Sequence, residues 1–337
     1  MDELLSKTQD ELKTVFENLQ QAPYRAKQLF KWLHMGAPFS EMTDLPKALR
    51  EKLQDRYAEG YILEKTVLTS KDGTKKFLFE LSDGQLVESV FMQKDYGNTA
   101  CLSTQVGCRM GCVFCASGEG GLVRNLTAGE MLAQLIGINR HTGIRTDHIV
   151  LMGMGEPLDN YENVVKFLRL VTNEDGLNLS RRGISLSTCG VVENIHKLAE
   201  EDLGITLSIS LHAPTDEQRA QIMRSARHYK ITDILSAAKD CFEKTGRRII
   251  FEYLLIDGFN DRDIDVRALA KLLKKINCHI NIIPFNETGN SRFVAPAKNK
   301  AYAFCGKLEE AGLSATVRKS MGADIAGACG QLRGKAI

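Results

Sequence analysis

Short apolar runs alternate with longer segments of helical spacing through most of the chain, and this alternation restricts the fold more than any other feature. The candidate strands are residues 100–105, 148–152, 183–188, 205–211, 248–256 and 279–284. The candidate helices between them are residues 127–140, 161–172, 192–201, 231–244 and 261–274. Because most of the strands are continuous apolar runs, the pattern predicts a parallel sheet covered by helices.

Six strand–helix units are too few for a full eightfold barrel, so we expect an α/β fold with a partial (β/α)6 barrel over residues 96–337. In barrels of parallel strands, the functional side chains lie where the strands end. Polar residues directly after the predicted strands are therefore the first candidates for a site.

A small helical region precedes this barrel. Residues 1–60 have apolar residues at helical spacing, and Pro46 stands where a first-turn proline would begin a helix over residues 47–57. Basic and aromatic residues interleave in this region. That mixture suits an RNA-binding surface and a packed helix with a solvated face equally well.

In residues 61–95 the apolar residues recur with a period of two, as they do in a β-strand. Residues 75–81 and 86–90 flank the turn at residues 82–84, which predicts a β-hairpin between the helical region and the barrel.

Composition and charge exclude several classes of protein. The 337 residues are 43% hydrophobic and 26% charged, and no apolar run reaches 18 residues, so we expect no membrane partner. The acidic, amphipathic start lacks the order of a signal peptide, which favours a cytoplasmic protein. A net charge of +2 gives no strong electrostatic argument for a nucleic-acid partner.

Three cysteines follow the first predicted strand as C-x3-C-x2-C: Cys108, Cys112 and Cys115. Three thiolates on one tight loop can hold three irons of a [4Fe–4S] cluster, and the fourth iron is then free to bind a small molecule. A zinc site is the alternative, but no fourth cysteine or histidine stands close by. The spacing resembles that of the radical S-adenosylmethionine (SAM) superfamily.

Polar and small residues end the later strands, as a cofactor site would require. Residues 152–157 place Gly155 and Glu156 after the second strand, where they suit SAM binding. Each of the others alone is more often a cap or turn residue, but together on one rim they suit a nucleoside: Ser187, Ser210, Leu211, His212 and Asn286.

The triplet, residues 152–157, residues 208–214 and residues 328–332, in this order, resemble the RlmN/Cfr family of radical SAM RNA methyltransferases. The likeness covers essentially the whole chain. Residues 69–81, 98–107 and 246–253 look most like the RlmN branch of low-GC Gram-positive bacteria. The resemblance implies a TIM-like radical SAM barrel with a helical accessory domain and a hairpin extension.

The resemblance also implies a reaction. Members of the RlmN branch methylate carbon 2 of an adenosine in 23S rRNA and adenosine 37 of certain tRNAs. They use a [4Fe–4S] cluster and two SAM molecules per turnover. We expect an electron donor such as flavodoxin or ferredoxin, and a monomeric enzyme.

Residue roles follow from the same resemblance. Cys329 corresponds to the cysteine that is methylated and forms a transient crosslink with RNA, and Cys101 to the cysteine that resolves this crosslink through a disulfide. Glu88 corresponds to the general base, although a solvated strand residue is its plain alternative. The SAM contacts correspond to Gly155, Glu156, Ser187, Ser210, Leu211, His212 and Asn286.

Two stretches depart from the family pattern, and three other functions stay open. Residues 223–226 replace a usual Met-Pro-Ile-Asn stretch, and Ala326-Gly327 lacks a usual acid, which bears on local RNA contacts. The alternatives are methylation of carbon 8, as in the Cfr branch, a radical SAM enzyme for a protein or small molecule, and a zinc-bound RNA-binding module.

Overall fold

The computed structural model describes residues 2–287 and 293–334. Its main feature is a ten-stranded sheet in the order β14-β13-β12-β11-β10-β9-β6-β5-β4-β3. The seven strands from β14 to β6 are parallel, and β5, β4 and β3 extend the sheet antiparallel.

The parallel strands alternate with helices, as the continuous apolar runs predict. The strands are β6 (Gly97–Cys101), β9 (His148–Leu151), β10 (Ile184–Thr188), β11 (Thr206–Ser210), β12 (Ile249–Leu255), β13 (Cys278–Pro284) and β14 (Ala315–Val317). The helices are α4 (Ala128–Thr142), α5 (Tyr161–Val171), α6 (Val192–Glu200), α7 (Asp216–Ile222), α8 (Ile231–Thr245), α9 (Asp263–Leu273) and α10 (Lys298–Glu310). This confirms six strand–helix units and adds the short β14, which the sequence analysis missed.

One predicted strand is wrong in its bounds. The run at residues 100–105 divides into the end of β6 and the start of β7 (Gln105–Gly107), which pairs with β8 (Leu122–Asn125) in a separate two-stranded sheet. The division has a local cause, because the Leu102 amide donates to Val150 O and the Thr104 amide turns to Met154 O. This bend aims the following cysteine loop at the end of the barrel.

The antiparallel part contains the predicted hairpin and one more strand. It comprises β3 (Leu63–Thr69), β4 (Lys75–Glu80) and β5 (Leu86–Lys94). Because β5 pairs with β6, the hairpin is continuous with the barrel sheet.

The first residues form helices, as expected. They comprise β1 (Asp2–Glu3), α1 (Gln9–Asn18), α2 (Arg25–Met35), α3 (Lys47–Arg56) and β2 (Tyr57–Ala58). The apolar face of α2, including Leu29, Phe30 and Leu33, is buried. Gly36 ends α2 against α4, where Arg140 Nη1 donates to its carbonyl at 2.8 Å. None of the helices in the described part of the chain is long and apolar enough to cross a membrane.

The sheet curves around its inner face. A cavity of about 1580 Å³, which we call the barrel cavity, is lined by residues of every strand from β5 through β14, apart from the separate pair β7–β8. Two smaller cavities adjoin it at the carboxyl ends of the parallel strands.

Candidate active site

The three cysteines of the C-x3-C-x2-C pattern lie on the loop after β7, and none of them is in a disulfide. Gly107 begins the loop at φ 74°, where a Cβ would lie 2.0 Å from Gly121 O, so only glycine fits this close approach. Burial raises the pKa of Cys108 to about 12 and also raises the pKa of Cys112 and Cys115. Burial therefore opposes the thiolate form of these cysteines, and metal coordination is what stabilises that form in cluster sites.

The arrangement of these thiols fits an iron–sulfur cluster. All three line one cavity. Three cysteines on one loop can hold three irons of a [4Fe–4S] cluster, and the fourth iron is then free to bind a small molecule.

A cavity of about 900 Å³, which we call the central cavity, joins the cysteine loop to the strand ends. Its lining includes all three loop cysteines and most of the predicted SAM contacts: Gly155, Glu156, Ser187, Ser210 and His212. Leu211 is fully buried, and its amide donates to Glu252 O. Asn286 lines the neighbouring cavity and donates to the carbonyl of Cys329 at 3.3 Å.

Gly155 and Glu156 are fixed by close packing. Gly155 has φ 105°, and a Cβ there would lie 2.6 Å from Gln105 Cβ. Glu156 accepts from the amides of Cys189 and Leu158 at 2.7 and 3.0 Å, while burial raises its pKa. The carboxylate thus holds the ends of two strands in register and retains acceptor capacity toward the cavity.

His212 presents a neutral ring to the central cavity. Its Nδ1 accepts from the Leu254 amide at 3.0 Å. Burial, and then the charge of Arg219, lower its pKa to about 3. The ring is therefore uncharged at neutral pH. It forms a T-shaped pair with Phe114 from the cysteine loop, with 5.1 Å between the ring centroids.

A second cavity, of about 680 Å³, brings Cys101 and Cys329 together, and we call it the cysteine cavity. Cys101 is the last residue of β6, and Cys329 lies 228 positions later in sequence. Burial, and then the nearby Cys329, raise the pKa of Cys101 to about 12, and the charge of Arg318 acts in the opposite direction. Both thiols are reduced in this structure.

Glu88 does not face solvent, so the plain alternative of a solvated strand residue is wrong. Only 2% of it is exposed, and its Oε1 lies 3.0 Å from Lys76 Nζ. Its Oε2 accepts from the amides of Arg333 and Gly334 at 2.5 and 3.0 Å. In this state the carboxylate contacts the C-terminal segment, and it is not among the residues that line the cysteine or central cavities.

Residues 322–334 carry Cys329 and are called the arm. The cysteine loop holds the arm on one side, because the Ala116 amide donates to Gly330 O and Ser117 Oγ donates to Leu332 O, both at 2.8 Å. The turn between β3 and β4 holds it on the other side, where Asp72 accepts from the Gly322 amide at 3.0 Å. The arm thus closes the cysteine cavity between the two elements.

Arg318 is a site residue that the sequence analysis missed. Arg318 and Met152 are the two residues that line all three cavities. The guanidinium approaches Met152 Sδ at 3.2 Å. A signal was available, since Arg318 follows directly after β14, at the same strand-end position as the other site residues.

Comparison with known proteins gives the class first. The family model described as "Radical SAM superfamily" matches residues 102–282, which contain the cysteine loop and most of the central cavity. The structure of a radical SAM methyltransferase from Sphaerobacter thermophilus superimposes with a TM-score of 0.96. It is 41% identical and covers 99% of this chain and 100% of its own. The fold and the site are those of a radical SAM enzyme, a class that uses a [4Fe–4S] cluster and SAM.

The family within this class follows from the rest of the chain. Residues 2–58 match the "Ribosomal RNA large subunit methyltransferase N-terminal domain" model. Proteins described as "Probable dual-specificity RNA methyltransferase RlmN" from Clostridioides difficile and Clostridium botulinum are each 48% identical. The alignments cover 97% and 99% of this chain and 96% of either relative. The chain belongs to the RlmN family of radical SAM RNA methyltransferases.

Proposed function

We propose that this enzyme adds a methyl group to carbon 2 of an adenosine in 23S rRNA and of adenosine 37 in certain tRNAs. The observation that carries the proposal is the cysteine cavity, in which Cys101 and Cys329 lie beside Cys115 of the cluster loop. The resolving thiol has to reach the sulfur atom of the cysteine that carries the methyl group, and a shared cavity permits this contact. The dual specificity named for the relatives supports two RNA substrates.

The cofactors have matching residues. Cys108, Cys112 and Cys115 would hold the cluster, and the central cavity would hold SAM against Gly155 and Glu156. When bound, the two SAM molecules of one turnover would supply the methyl group that Cys329 carries and the radical that removes a hydrogen atom from this methyl group. The cluster would supply an acceptor for one electron. Neutral His212 and the carboxyl group of Glu156, whose pKa burial raises, line this cavity and would orient SAM through hydrogen bonds.

The remaining steps belong to three side chains. Cys329 carries the methyl group as a thioether, and its methylene carbon bonds to carbon 2 of adenine. Glu88 takes the carbon-2 proton. The Cys101 thiolate then attacks the Cys329 sulfur, so that a disulfide forms, the carbon–sulfur bond breaks, and the released carbon takes a proton.

The RNA has to present its adenosine outside the stack, because the two cysteines lie within the protein. The helical region offers a stacking surface for the surrounding RNA. Tyr24 is 62% exposed, and the Arg25 guanidinium lies 5.3 Å from its ring centroid. Aromatic rings with adjacent cations bind unpaired bases in many RNA-binding proteins.

We propose a monomer that receives its electron from a protein such as flavodoxin or ferredoxin. The outer side of the cysteine loop borders a groove of about 1170 Å³. All three cluster cysteines line this groove, together with two arginines, Arg109 and Arg224, and one acid, Glu119. The arginines suit an acidic donor.

The test uses reconstituted enzyme with SAM, a reductant, and either a 23S rRNA fragment or a tRNA. Mass analysis of the digested RNA should show 2-methyladenosine with both substrates. Cys329→Ala should abolish it while the cluster absorbance persists, and Cys101→Ala should accumulate protein–RNA crosslink. Cys305→Ala, which changes a cysteine outside the cavities, is the matched control. Finding 8-methyladenosine alone, or full activity in Cys329→Ala, would contradict the proposal.

A further inference from the structure

The hairpin contains a buried ion pair between Lys76 of β4 and Glu88 of β5. The two residues are 5% and 2% exposed, and Lys76 Nζ lies 3.0 Å from Glu88 Oε1. Burying two charges is costly unless further hydrogen bonds use their remaining donors and acceptors. The partners that these charges use outside the hairpin therefore indicate what the pair is for.

Among the described residues, the partners that both charged side chains use outside the hairpin belong to the arm. Lys76 Nζ donates to Ala326 O at 3.4 Å, and Glu88 Oε2 accepts from the amides of Arg333 and Gly334. Ala326 precedes Cys329 by three residues, and Arg333 follows it by four. One ion pair thus holds the chain on both sides of the cysteine.

The end of the arm also passes very close to the hairpin. Gly334 has φ 62°, and a Cβ there would lie 2.7 Å from Leu86 O and 2.6 Å from Met154 Cε. The backbone can therefore reach the Glu88 carboxylate only because this residue has no side chain.

We propose that the Lys76–Glu88 pair is a latch that docks the arm and holds Cys329 at the cysteine cavity. Lys76 is then a positioning residue for methyl transfer, acting through the arm. The inference rests on the proposed function for the role of Cys329. In the docked state the same contacts cover Glu88, so the arm has to release the carboxylate before a substrate proton can reach it.

The first experiment compares hydrogen exchange in the cluster-loaded protein without RNA. Lys76→Met leaves Glu88 without its cation, and we expect residues 326–334 to exchange at least about tenfold faster, since removing one partner of a buried pair is strongly destabilising. Lys65→Met is the matched control. Lys65 of β3 pairs with Glu80 of β4 at 2.7 Å in the same antiparallel part of the sheet, but both side chains are far more exposed than those of the Lys76–Glu88 pair.

A double variant separates the latch from the folding of the hairpin. Lys76→Met with Glu88→Leu removes both charges, and apolar replacement of a buried pair generally preserves the fold. We expect a melting temperature close to wild type, together with faster exchange of the arm and faster alkylation of the Cys329 thiol. Exchange and alkylation equal to wild type in this variant would overturn the latch.

Both readouts are made without RNA. They therefore decide the latch independently of which adenine carbon the enzyme methylates. Failure of methyl transfer in wild-type enzyme with a normally docked arm would instead contradict the proposed function.

Discussion

Arg318 Nη1 lies 4.0 Å from Glu252 Oε2 at the junction of the central and barrel cavities. This carboxylate oxygen has no hydrogen-bond partner among the described residues, although Glu252 is only 2% exposed. The contact orients a guanidinium whose charge acts on the two cysteines beyond it. Arg318 is therefore placed to favour the thiolate form of Cys101.

Replacing Arg318 should slow the resolving step. The charge of Arg318 lowers the pKa of Cys101, which burial has raised to about 12. In Arg318→Met we expect a still higher pKa and less thiolate at any given pH. The protein–RNA crosslink should then persist about tenfold longer or more, measured by quenched gel assays across pH, because one pKa step corresponds to a tenfold change in thiolate. Arg318→Lys keeps the charge and should retain most of the wild-type rate; equal crosslink lifetimes in Met and Lys variants would rule out this role.

Cys101 and Cys329 should form a disulfide under mild oxidation, because they line one cavity and both are reduced. Peptide mapping without reductant should recover the 101–329 linkage from wild type and from Cys241→Ser, in which a distant buried thiol is removed. Cys329→Ser should lose it. Recovery of Cys101 linked mainly to a cluster cysteine would contradict the expected pairing.

Gly155→Ala should weaken SAM binding. A Cβ would lie 2.6 Å from Gln105 Cβ, and φ 105° is unfavourable for alanine. The motif has to shift away from β7, so we expect at least about a tenfold loss of SAM affinity, equivalent to about 1.4 kcal/mol. Equilibrium dialysis of cluster-loaded protein measures it. Gly120→Ala is the control, because a Cβ there meets nothing within 4 Å.

His34 should make the protein less stable in acid. Burial lowers its pKa from 6.5 to about 4, so the unfolded chain binds the proton first as pH falls. Stability contributed by the neutral ring is present above pH 6.5 and is lost between pH 6.5 and about 4, by about 3 kcal/mol. Urea unfolding across this range should show a shallower pH slope in His34→Leu than in wild type. His228→Gln, at an exposed position, should keep the wild-type slope.

The barrel could be predicted because short strand-like runs alternate regularly with longer segments of helical spacing. The cysteine loop and residues 152–157 follow strand ends, so their convergence was also predictable. The short β14 was not predicted, because Ala315–Val317 is too short to show a periodic pattern of apolar residues. Arg318, which depends on that strand, was missed with it.

The environment of Glu88 could not be predicted from local sequence. Its partners are Lys76 on the neighbouring strand and amides of the arm about 245 residues away. Backbone donors leave no trace in a sequence, because every residue except proline carries one. The hairpin pattern therefore predicts a strand at Glu88 but not which elements cover it.

The position of the arm in the sequence also implies an order of events while the protein is synthesised. During synthesis the cysteine loop precedes the arm by more than two hundred residues, from Cys115 to Gly322. At roughly 5–20 residues per second, the ribosome needs about 10–40 s to deliver the segment that closes the cysteine cavity. For that interval the cluster loop is uncovered on the side that the arm later occupies. Insertion of iron and sulfide can therefore precede closure, and the segment that contains Cys329 covers the site afterwards.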